Sequence, residues 1–310
     1  MTEPEPDSTE TVLVMNPKSG SADHAEVVRD HATLRGYTVK ETQREHHAIQ
    51  LAKQAAADGA DEIVAVGGDG TLNEVVKGIH AADALGEVTV GVVPAGTGND
   101  FATNIGITSI DNAFEVLESG AKRTLDLGMA DGVPFLNSCV AGITAKASNE
   151  TSAELKSQMG VLAYVTTTLR MASEFSGLEL AASVVEGETT ETVWEGSATV
   201  VLVGNGRRFS MSGTEQANLE DGLLDVTIIE DASSLDLATD RLAERLFDSE
   251  GDNLERTLAS TLELSVADGK TAAFSLDGEI NELESVELTA THRALEMYVG
   301  EGYEQTPRAE

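Results

Sequence analysis

The segment from Glu62 to Asn73 reads EIVAVGGDGTLN. Glu62–Val66 is rich in apolar and β-branched residues, which is typical of a buried strand. The glycines that follow allow backbone N–H groups to turn toward a ligand without a Cβ in the way. A helix that begins near Thr71 directs its positive end to the same place, which suits a phosphate. We therefore predict a strand, a phosphate-binding turn and a helix; a tight turn without a ligand is the alternative.

The residues on both sides of this stretch alternate between strand and helix patterns. Strands are predicted at 11–15, 37–42, 62–66 and 88–93, and helices at 22–35, 46–57 and 71–79. This alternation indicates βαβ units and an α/β fold with a mostly parallel sheet. We place this domain at 11–128, after a disordered acidic tail at 1–10, and expect a C-terminal strand within 293–305 to return to it.

After residue 128 the pattern changes to many short strands separated by Asp-Gly turns. The strand candidates lie at 133–140, 178–185, 197–203, 223–230, 257–266, 271–276 and 284–289, with one helix-like stretch at 152–174. Residues 129–292 are therefore predicted to form an antiparallel, β-rich second domain.

Two further loops follow predicted strands of the first domain. Asn16-Pro17-Lys18-Ser19-Gly20 follows the first strand, and Pro94–Ala102 (PAGTGNDFA) follows the fourth. The carboxyl ends of parallel strands lie at one edge of a sheet, so we expect all three loops to converge there. None of them matches the P-loop pattern or the Rossmann dinucleotide pattern, so neither of these sites is supported.

The composition excludes several classes of protein. The 310 residues carry 54 Asp and Glu against 20 Lys and Arg, a net charge of −34. This charge argues against sequence-independent binding to nucleic acid and is typical of halophile surfaces, with a mesophilic acidic protein as the alternative.

The lone Cys139 excludes a disulfide framework and a cysteine-cluster metal site. No apolar run reaches the roughly 18 residues of a transmembrane helix, and the acidic start does not resemble a secretory signal, so we expect a cytoplasmic location.

Together with Asp277-Gly278-Glu279, the three loops resemble the diacylglycerol kinase catalytic-domain family, which includes sphingosine kinases and bacterial lipid kinases. GGDGT is shared with NAD kinases and phosphofructokinase-like folds, whereas the NPxSG and PxGTGNDFA loops point to lipid kinases. The resemblance implies a NAD kinase/phosphofructokinase-like α/β domain, a C-terminal β-sandwich and an interdomain cleft. It also implies ATP- and Mg²⁺-dependent phosphorylation of a hydroxyl on a diacylglycerol-like or related lipid.

The resemblance places the nucleotide contacts in the three loops and at one strand end. The residues are Asn16, Pro17, Lys18, Ser19, Gly20, Thr42, Gly67, Gly68, Asp69, Gly70, Thr71, Leu72, Asn73, Gly96 and Thr97. Asp69 cannot simply be a phosphate ligand, because like charges repel; it either holds a magnesium ion or fixes the loop. Glu74 either belongs to the site or only complements the helix dipole.

The resemblance also places the general base in the Asp277-Gly278-Glu279 triplet, with Asp277 and Glu279 as the two candidates. An Asp-Gly pair after a strand is otherwise a hairpin turn. A structural Mg²⁺ site is implied at a stretch that resembles the family's DGLLD loop, with Asn218, Asp221 and Leu223 as oxygen ligands. A hairpin turn with a solvated acidic rim is the alternative there.

The implied partner is a lipid at the membrane surface. We expect transient binding to the inner face of the membrane through apolar contacts, helped by cations such as Arg207 and Arg208. These arginines open the stretch Arg207–Met211, which departs from a glycine run that lipid kinases often show. A homodimer is left open. Two other functions remain in view: an NAD kinase, whose pattern lacks PxGTGNDFA, and a nucleotide-binding protein without catalysis.

Overall fold

A computed structural model describes residues 9–21, 23–142, 177–210, 213–230 and 254–307. The chain forms two compact units. The first extends to Leu125 and includes Arg293–Glu304; the second comprises Asp126–His292 and the residues from Gln305 onward. The helix predicted at 152–174 lies outside the described residues.

In the first unit, helices and strands alternate along the chain. The elements are β1 (Thr11–Met15), α1 (His24–Arg35), β2 (Thr38–Glu41), α2 (His47–Ala57), β3 (Glu62–Gly67), α3 (Asp69–His80), β4 (Thr89–Pro94), α4 (Asp100–Asn104) and α5 (Ile110–Ser119). The strands are parallel in the order β2-β1-β3-β4. Near the end of the chain, Met297 pairs in parallel with Val90 of β4. The predicted α/β class with a parallel sheet is confirmed.

Local sequence explains why these elements form. Every residue of β1 and of β3 is buried, as their apolar runs predict. Helix α3 turns Leu72, Val76 and Ile79 inward at helical spacing, so one face packs on the sheet. Gly78 allows α2 and α3 to approach closely, because a Cβ there would collide with the backbone of Ile49.

The second unit is almost entirely built from strands in its described part. They are β5 (Ala121–Ala130), which begins in the first unit, β6 (Val133–Phe135), β7 (Ser138–Gly142), β8 (Leu178–Glu186), β9 (Thr189–Gly204), β10 (Arg207–Ser210), β11 (Gly213–Gln216), β12 (Leu224–Glu230), β13 (Leu254–Ala259), β14 (Thr261–Val266), β15 (Ala272–Leu276), β16 (Glu279–Leu283) and β17 (Ser285–Val299). The main path β16-β15-β7-β9-β8-β14-β17 is antiparallel throughout, and β12 pairs with β9 and β13. Phe135, Trp194 and Phe274 contribute to one apolar core. The predicted β-rich second domain is confirmed.

Several strand boundaries differ from the predictions for physical reasons. The stretch predicted at 133–140 is two strands, because the backbone N–H groups between β6 and β7 donate to the Asp277 carboxylate. Strand β9 begins at Thr189, well before the predicted start at 197; the early part was missed because its first four residues are polar and exposed and show no apolar alternation. The strand predicted at 284–289 and the C-terminal strand expected within 293–305 are one strand, β17, which continues through Arg293 at a φ of 52°.

Candidate functional site

Three loops of the first unit meet at the carboxyl ends of β1, β3 and β4. They are the 16–20 loop, the 67–73 turn and the 95–100 loop. The N–H of Asn16 donates to the carbonyl of Val66 at 2.9 Å, and the N–H of Ala95 donates to the carbonyl of Gly67 at 2.9 Å. The structure therefore places the three predicted loops side by side at one sheet edge.

Glycine is required where the loops touch. A Cβ on Gly68 would lie 2.8 Å from the carbonyl oxygen of Gly98 and 3.2 Å from Cα of Gly96. Gly20 has a φ of 54°, and a Cβ there would lie 2.7 Å from the carbonyl oxygen of Ala95. Because no side chain fits between these loops, they present backbone to one another.

Asp69 is the first residue of α3 and joins the second loop to the third. Its carboxylate accepts the N–H groups of Asp100 and Phe101, both at 3.0 Å, at the start of α4. These two bonds satisfy donors that the short helix α4 cannot satisfy itself. Of the two roles predicted for Asp69, fixing the loop agrees with this geometry.

The remaining predicted residues of the 67–73 turn lie inside the first turn of α3. Thr71, Leu72 and Asn73 are buried, and the N–H groups of Thr71 and Leu72 donate to the carbonyl of Gly68. Gly70 has open space around it. Because Leu72 packs in the core, any contact that it makes to a nucleotide would come from its backbone.

The third loop is held by a residue to which the sequence analysis assigned no role. Asn99 accepts the N–H of Gly96 at 3.0 Å and donates from Nδ2 to the carbonyl of the same residue at 3.0 Å. Thr97 is exposed between them. The Asn-Asp pair after the glycines could have indicated this role, since Asn side chains commonly bond to nearby backbone in turns.

His24, a second residue missed by the sequence analysis, supports the 16–20 loop. Its Nε2 lies 3.1 Å from the carbonyl oxygen of Asn16, which also accepts the hydroxyl of Ser19 at 2.9 Å. His24 is only 7% exposed. A carbonyl oxygen only accepts, so Nε2 carries a proton in this contact. Lys18 is exposed at the tip of the loop, and Pro17 is half-buried.

Thr42 and Glu74 lie near the loops by different routes. The N–H of Thr42 donates to the carbonyl of Met15 at 2.8 Å, which places Thr42 beside the start of the 16–20 loop. Glu74 accepts the N–H of Ala48 at 3.2 Å and lies 3.3 Å from Nδ1 of His46. Glu74 therefore caps the start of α2. This contact joins two helices and differs from the predicted alternative, in which Glu74 only complements the dipole of its own helix.

In the second unit, Asp277 and Gly278 form the tight turn between β15 and β16, with φ values of 46° and 97°. The Asp277 carboxylate accepts three backbone N–H groups, from Leu136 at 2.6 Å and from Asn137 and Ser138 at 2.9 Å. Glu279, the first residue of β16, is exposed. The two candidate bases thus differ in their surroundings: Asp277 organises the turn, and Glu279 faces solvent.

The candidate metal loop spans 218–223. Oδ1 of Asn218 accepts the N–H of Glu220, and Oδ1 of Asp221 accepts the N–H of Leu223, both at 3.0 Å. Burial raises the pKa of Asp221, and the nearby charge of Asp126 acts in the same direction. A cation would relieve both effects, and a set made only of oxygens fits Mg²⁺.

Within the described ranges, no three His, Cys, Asp or Glu side chains are grouped to hold a metal ion. A metal bound at 218–223 would therefore need backbone carbonyl and amide oxygens as well as Asp221.

Asp126 is a further residue missed by the sequence analysis. It is 1% exposed, accepts the N–H of Gly222 at 2.6 Å and lies 2.8 Å from Nδ1 of His292. The sequence could have indicated this role, because a single acidic residue between Leu125 and Leu127 in an apolar strand is a buried carboxylate that needs hydrogen-bond partners.

The two arginines expected to help membrane binding are poorly placed for it. Arg207 is only 8% exposed, and Arg208 forms an ion pair with Glu215 at 2.6 Å. Among the described helices, none has the length and apolar character needed to cross a membrane.

Comparison with known proteins agrees with this arrangement. Residues 10–130 match the family model of the diacylglycerol kinase catalytic domain, and residues 137–299 match that of the YegS C-terminal NAD kinase beta sandwich-like domain. A "Probable lipid kinase YegS-like" protein of Pectobacterium atrosepticum is 31% identical over 87% of this chain and 89% of its own length. A "Diacylglycerol kinase" of Bacillus subtilis is 33% identical over 60% of each chain.

A crystal structure of a diacylglycerol kinase from Bacillus anthracis superimposes with a TM-score of 0.69 at 19% identity, covering 97% of this chain and 100% of that one. At this identity the likeness speaks for the fold alone. The α/β unit with its glycine loops and the β-rich unit define a two-domain kinase. The chain belongs to the diacylglycerol kinase family, in its YegS-like lipid kinase branch, and is a phosphotransferase of that family.

Proposed function

We propose that this protein uses ATP and Mg²⁺ to phosphorylate a hydroxyl of a diacylglycerol-like lipid at the inner face of the membrane. The observation that carries the proposal is the meeting of three glycine-containing loops at one sheet edge, tied together by Asp69. Phosphoryl transfer depends almost wholly on positioning and charge stabilisation, which rigid backbone N–H groups supply.

The nucleotide phosphates would lie against the 16–20 loop, the 67–73 turn and the 95–100 loop. Their glycines let N–H groups approach a phosphate, and the start of α3 adds the positive end of a helix dipole. Gly96 and Thr97 would approach from the third loop. Thr42 would contact the nucleotide beside the 16–20 loop, because its N–H donates to the carbonyl of Met15, the residue just before that loop.

For the general base we propose Glu279. The lipid hydroxyl must lose its proton as its oxygen attacks phosphorus, and a carboxylate can accept it. The three N–H groups on Asp277 occupy much of its capacity to accept a further hydrogen. Glu279 is exposed and lies only two residues along, so the turn fixed by Asp277 positions it.

For the structural Mg²⁺ we propose Asn218, Asp221 and the backbone carbonyl of Leu223 as ligands. Bound there, the ion would supply positive charge beside the carboxylates of Asp221 and Asp126. What this chain contributes is the preformed loop, which Asp126 holds through Gly222.

The test is label transfer from γ-labelled ATP to a total lipid extract at high salt, with NAD as a competing acceptor. We expect labelled lipid, and a loss of about 10²-fold or more in kcat for Asp69→Ala, because the loops lose the carboxylate that joins them. Asp30→Asn, an exposed change on α1, is the matched control and should keep the activity of the parent.

Activity of Asp69→Ala within threefold of the parent would contradict the role of these loops. Labelled NAD in place of labelled lipid would identify an NAD kinase, and ATP binding without any turnover would identify a nucleotide sensor.

A further inference from the structure

The second unit contains a series of hydrogen bonds that extends well beyond the candidate base. It begins at Asp277, whose carboxylate accepts the N–H groups of residues 136–138 and whose own N–H donates to the carbonyl of Ser138 at 3.0 Å. Bonds in both directions mean that the Asp277 turn and residues 136–138 hold one another in place. Any displacement of 136–138 would therefore displace Glu279.

Asn205 holds residues 136–138 from the other side. Its backbone N–H donates to the carbonyl of Asn137 at 2.9 Å, and its side-chain Nδ2 donates to the carbonyl of Leu136 at 3.0 Å and to that of Asp126 at 3.2 Å. Both side-chain partners are carbonyl oxygens, so the amide can face them only with its nitrogen. Asn205 is 1% exposed, which leaves little water to replace these bonds.

Asp126 extends the series to the 218–223 loop. Its carboxylate accepts the N–H of Gly222 at 2.6 Å and a proton-bearing Nδ1 of His292 at 2.8 Å. Its own N–H donates to the carbonyl of Leu219 at 2.7 Å. The backbone of Asp126 thus meets Asn205 and Leu219, while its side chain holds the middle of the loop.

The Asn205 amide makes both of its side-chain bonds through nitrogen. Within the described part of the chain, its Oδ1 is buried and has no hydrogen-bond partner. A buried acceptor without a donor is unfavourable, so this amide is explained by its two donors and not by packing.

We propose that Asn205 is a positioning residue that couples the Asp277 turn to the 218–223 loop through Asp126. Its kinetic consequence rests on the proposed function, since the geometry that it preserves is that of Glu279. Small misplacements of a reacting group lower rates strongly, whereas the nucleotide loops belong to the other unit.

The test is Asn205→Asp, which keeps the shape of the side chain and removes both donors. We expect kcat to fall by about 10- to 100-fold while KM for ATP stays within about twofold of the parent. Amide hydrogen exchange should rise together at residues 136–138 and at Gly222. Thr227→Val is the matched control: Thr227 is buried in β12 and its hydroxyl has no partner among the described residues, so kcat and exchange should match the parent.

A second variant covers the case in which Asn205→Asp does not fold. His292→Ala removes a half-exposed partner of Asp126, so the fold should tolerate it. Exchange at 136–138 should still rise, and kcat should fall by several-fold.

Unchanged exchange at 136–138 in His292→Ala would overturn the coupling, as would a kcat of Asn205→Asp within twofold of the parent per folded molecule. If the parent itself transfers no phosphate, the proposed function fails, while the exchange measurements still decide whether Asn205 couples the two segments.

Discussion

At the scale of single residues, the hairpin that follows β15 assigns different tasks to two carboxylates. Asp277 sits at a positive φ and receives three N–H groups, so it fixes backbone. Glu279, two residues later at the start of β16, is exposed. A positive φ in an Asp-Gly turn is common in hairpins, but three N–H groups converging on its carboxylate are not needed for a turn. They hold the hairpin that carries Glu279, the base proposed above, against residues 136–138.

Isosteric amides should separate the two tasks. Glu279→Gln removes a proton acceptor, so we expect kcat to fall by about 10²–10⁴-fold with ATP binding unchanged. Asp277→Asn keeps one acceptor oxygen and loses the other, so it should lower the melting temperature as well as activity. Steady-state kinetics and thermal unfolding of both variants check this. Full activity in both would mean that the proton acceptor lies elsewhere.

Gly96 offers a test of the contact between loops. A Cβ at this position would collide with the backbone of Gly68, so Gly96→Ala should separate the third loop from the second and raise KM for ATP by about 10-fold or more. Gly78→Ala is the control, because it creates a comparable clash with Ile49 between α2 and α3. That control should lower the melting temperature and leave KM for ATP near that of the parent. Equal KM values for the two variants would contradict a role of the contact between the second and third loops in ATP binding.

At the scale of elements, a buried polar cluster joins the amino ends of β1 and β3 to the end of β17. Glu62 accepts the hydroxyl of Tyr298 at 2.5 Å, the hydroxyl of Thr11 at 2.9 Å and Nζ of Lys122 at 3.1 Å. A buried carboxylate is tolerated only when such partners satisfy it. The cluster lies at the opposite ends of β1 and β3 from the glycine-containing loops, so we assign it to stability.

The Tyr298 hydroxyl should make stability depend on alkaline pH. Burial and its bond to Glu62 raise the pKa of Tyr298 above the ordinary 10.0. The folded state therefore favours the protonated form, and this stabilisation is complete below pH 10.0 and is lost as pH rises through the higher folded-state pKa. Tyr298→Phe should lower the free energy of unfolding by about 1–3 kcal/mol at neutral pH and should weaken the alkaline dependence.

Urea unfolding of the parent and of Tyr298→Phe from about pH 8 to pH 11 measures both effects. Parallel curves for the two proteins would contradict a role for the Tyr298 proton.

The elements that could be predicted from sequence are those with strong local patterns. The runs at β1, β3 and β4 and the spacing in α3 mark buried strands and an amphipathic helix whatever surrounds them. The polar first half of β9 could not be predicted, because its strand conformation comes from pairing with β8. His24, Asp126 and Asn205 were missed for a related reason: their roles depend on partners that only the folded chain brings close.

At the scale of the whole molecule, the charge of −34 should make the fold depend on salt. Self-repulsion destabilises a compact acidic chain, and molar salt shortens the Debye length to about 3 Å. We expect the melting temperature to fall at low ionic strength and to recover in potassium chloride near molar concentration. A neutral osmolyte at equal osmolality is the control. A melting temperature that does not change with salt would remove the halophile interpretation and leave the kinase proposal intact.

The most direct test of lipid kinase function follows the fate of one phosphate. Purified protein is incubated at high salt with a diacylglycerol dispersion and ATP labelled at either the γ- or the α-phosphate, beside Glu279→Gln as the inactive control. We expect label in the lipid only from γ-labelled ATP, at a rate reduced by about 10²-fold or more in the variant. No label in any lipid, or equal labelling by the parent and Glu279→Gln, would contradict transfer of the γ-phosphoryl group with Glu279 as the base.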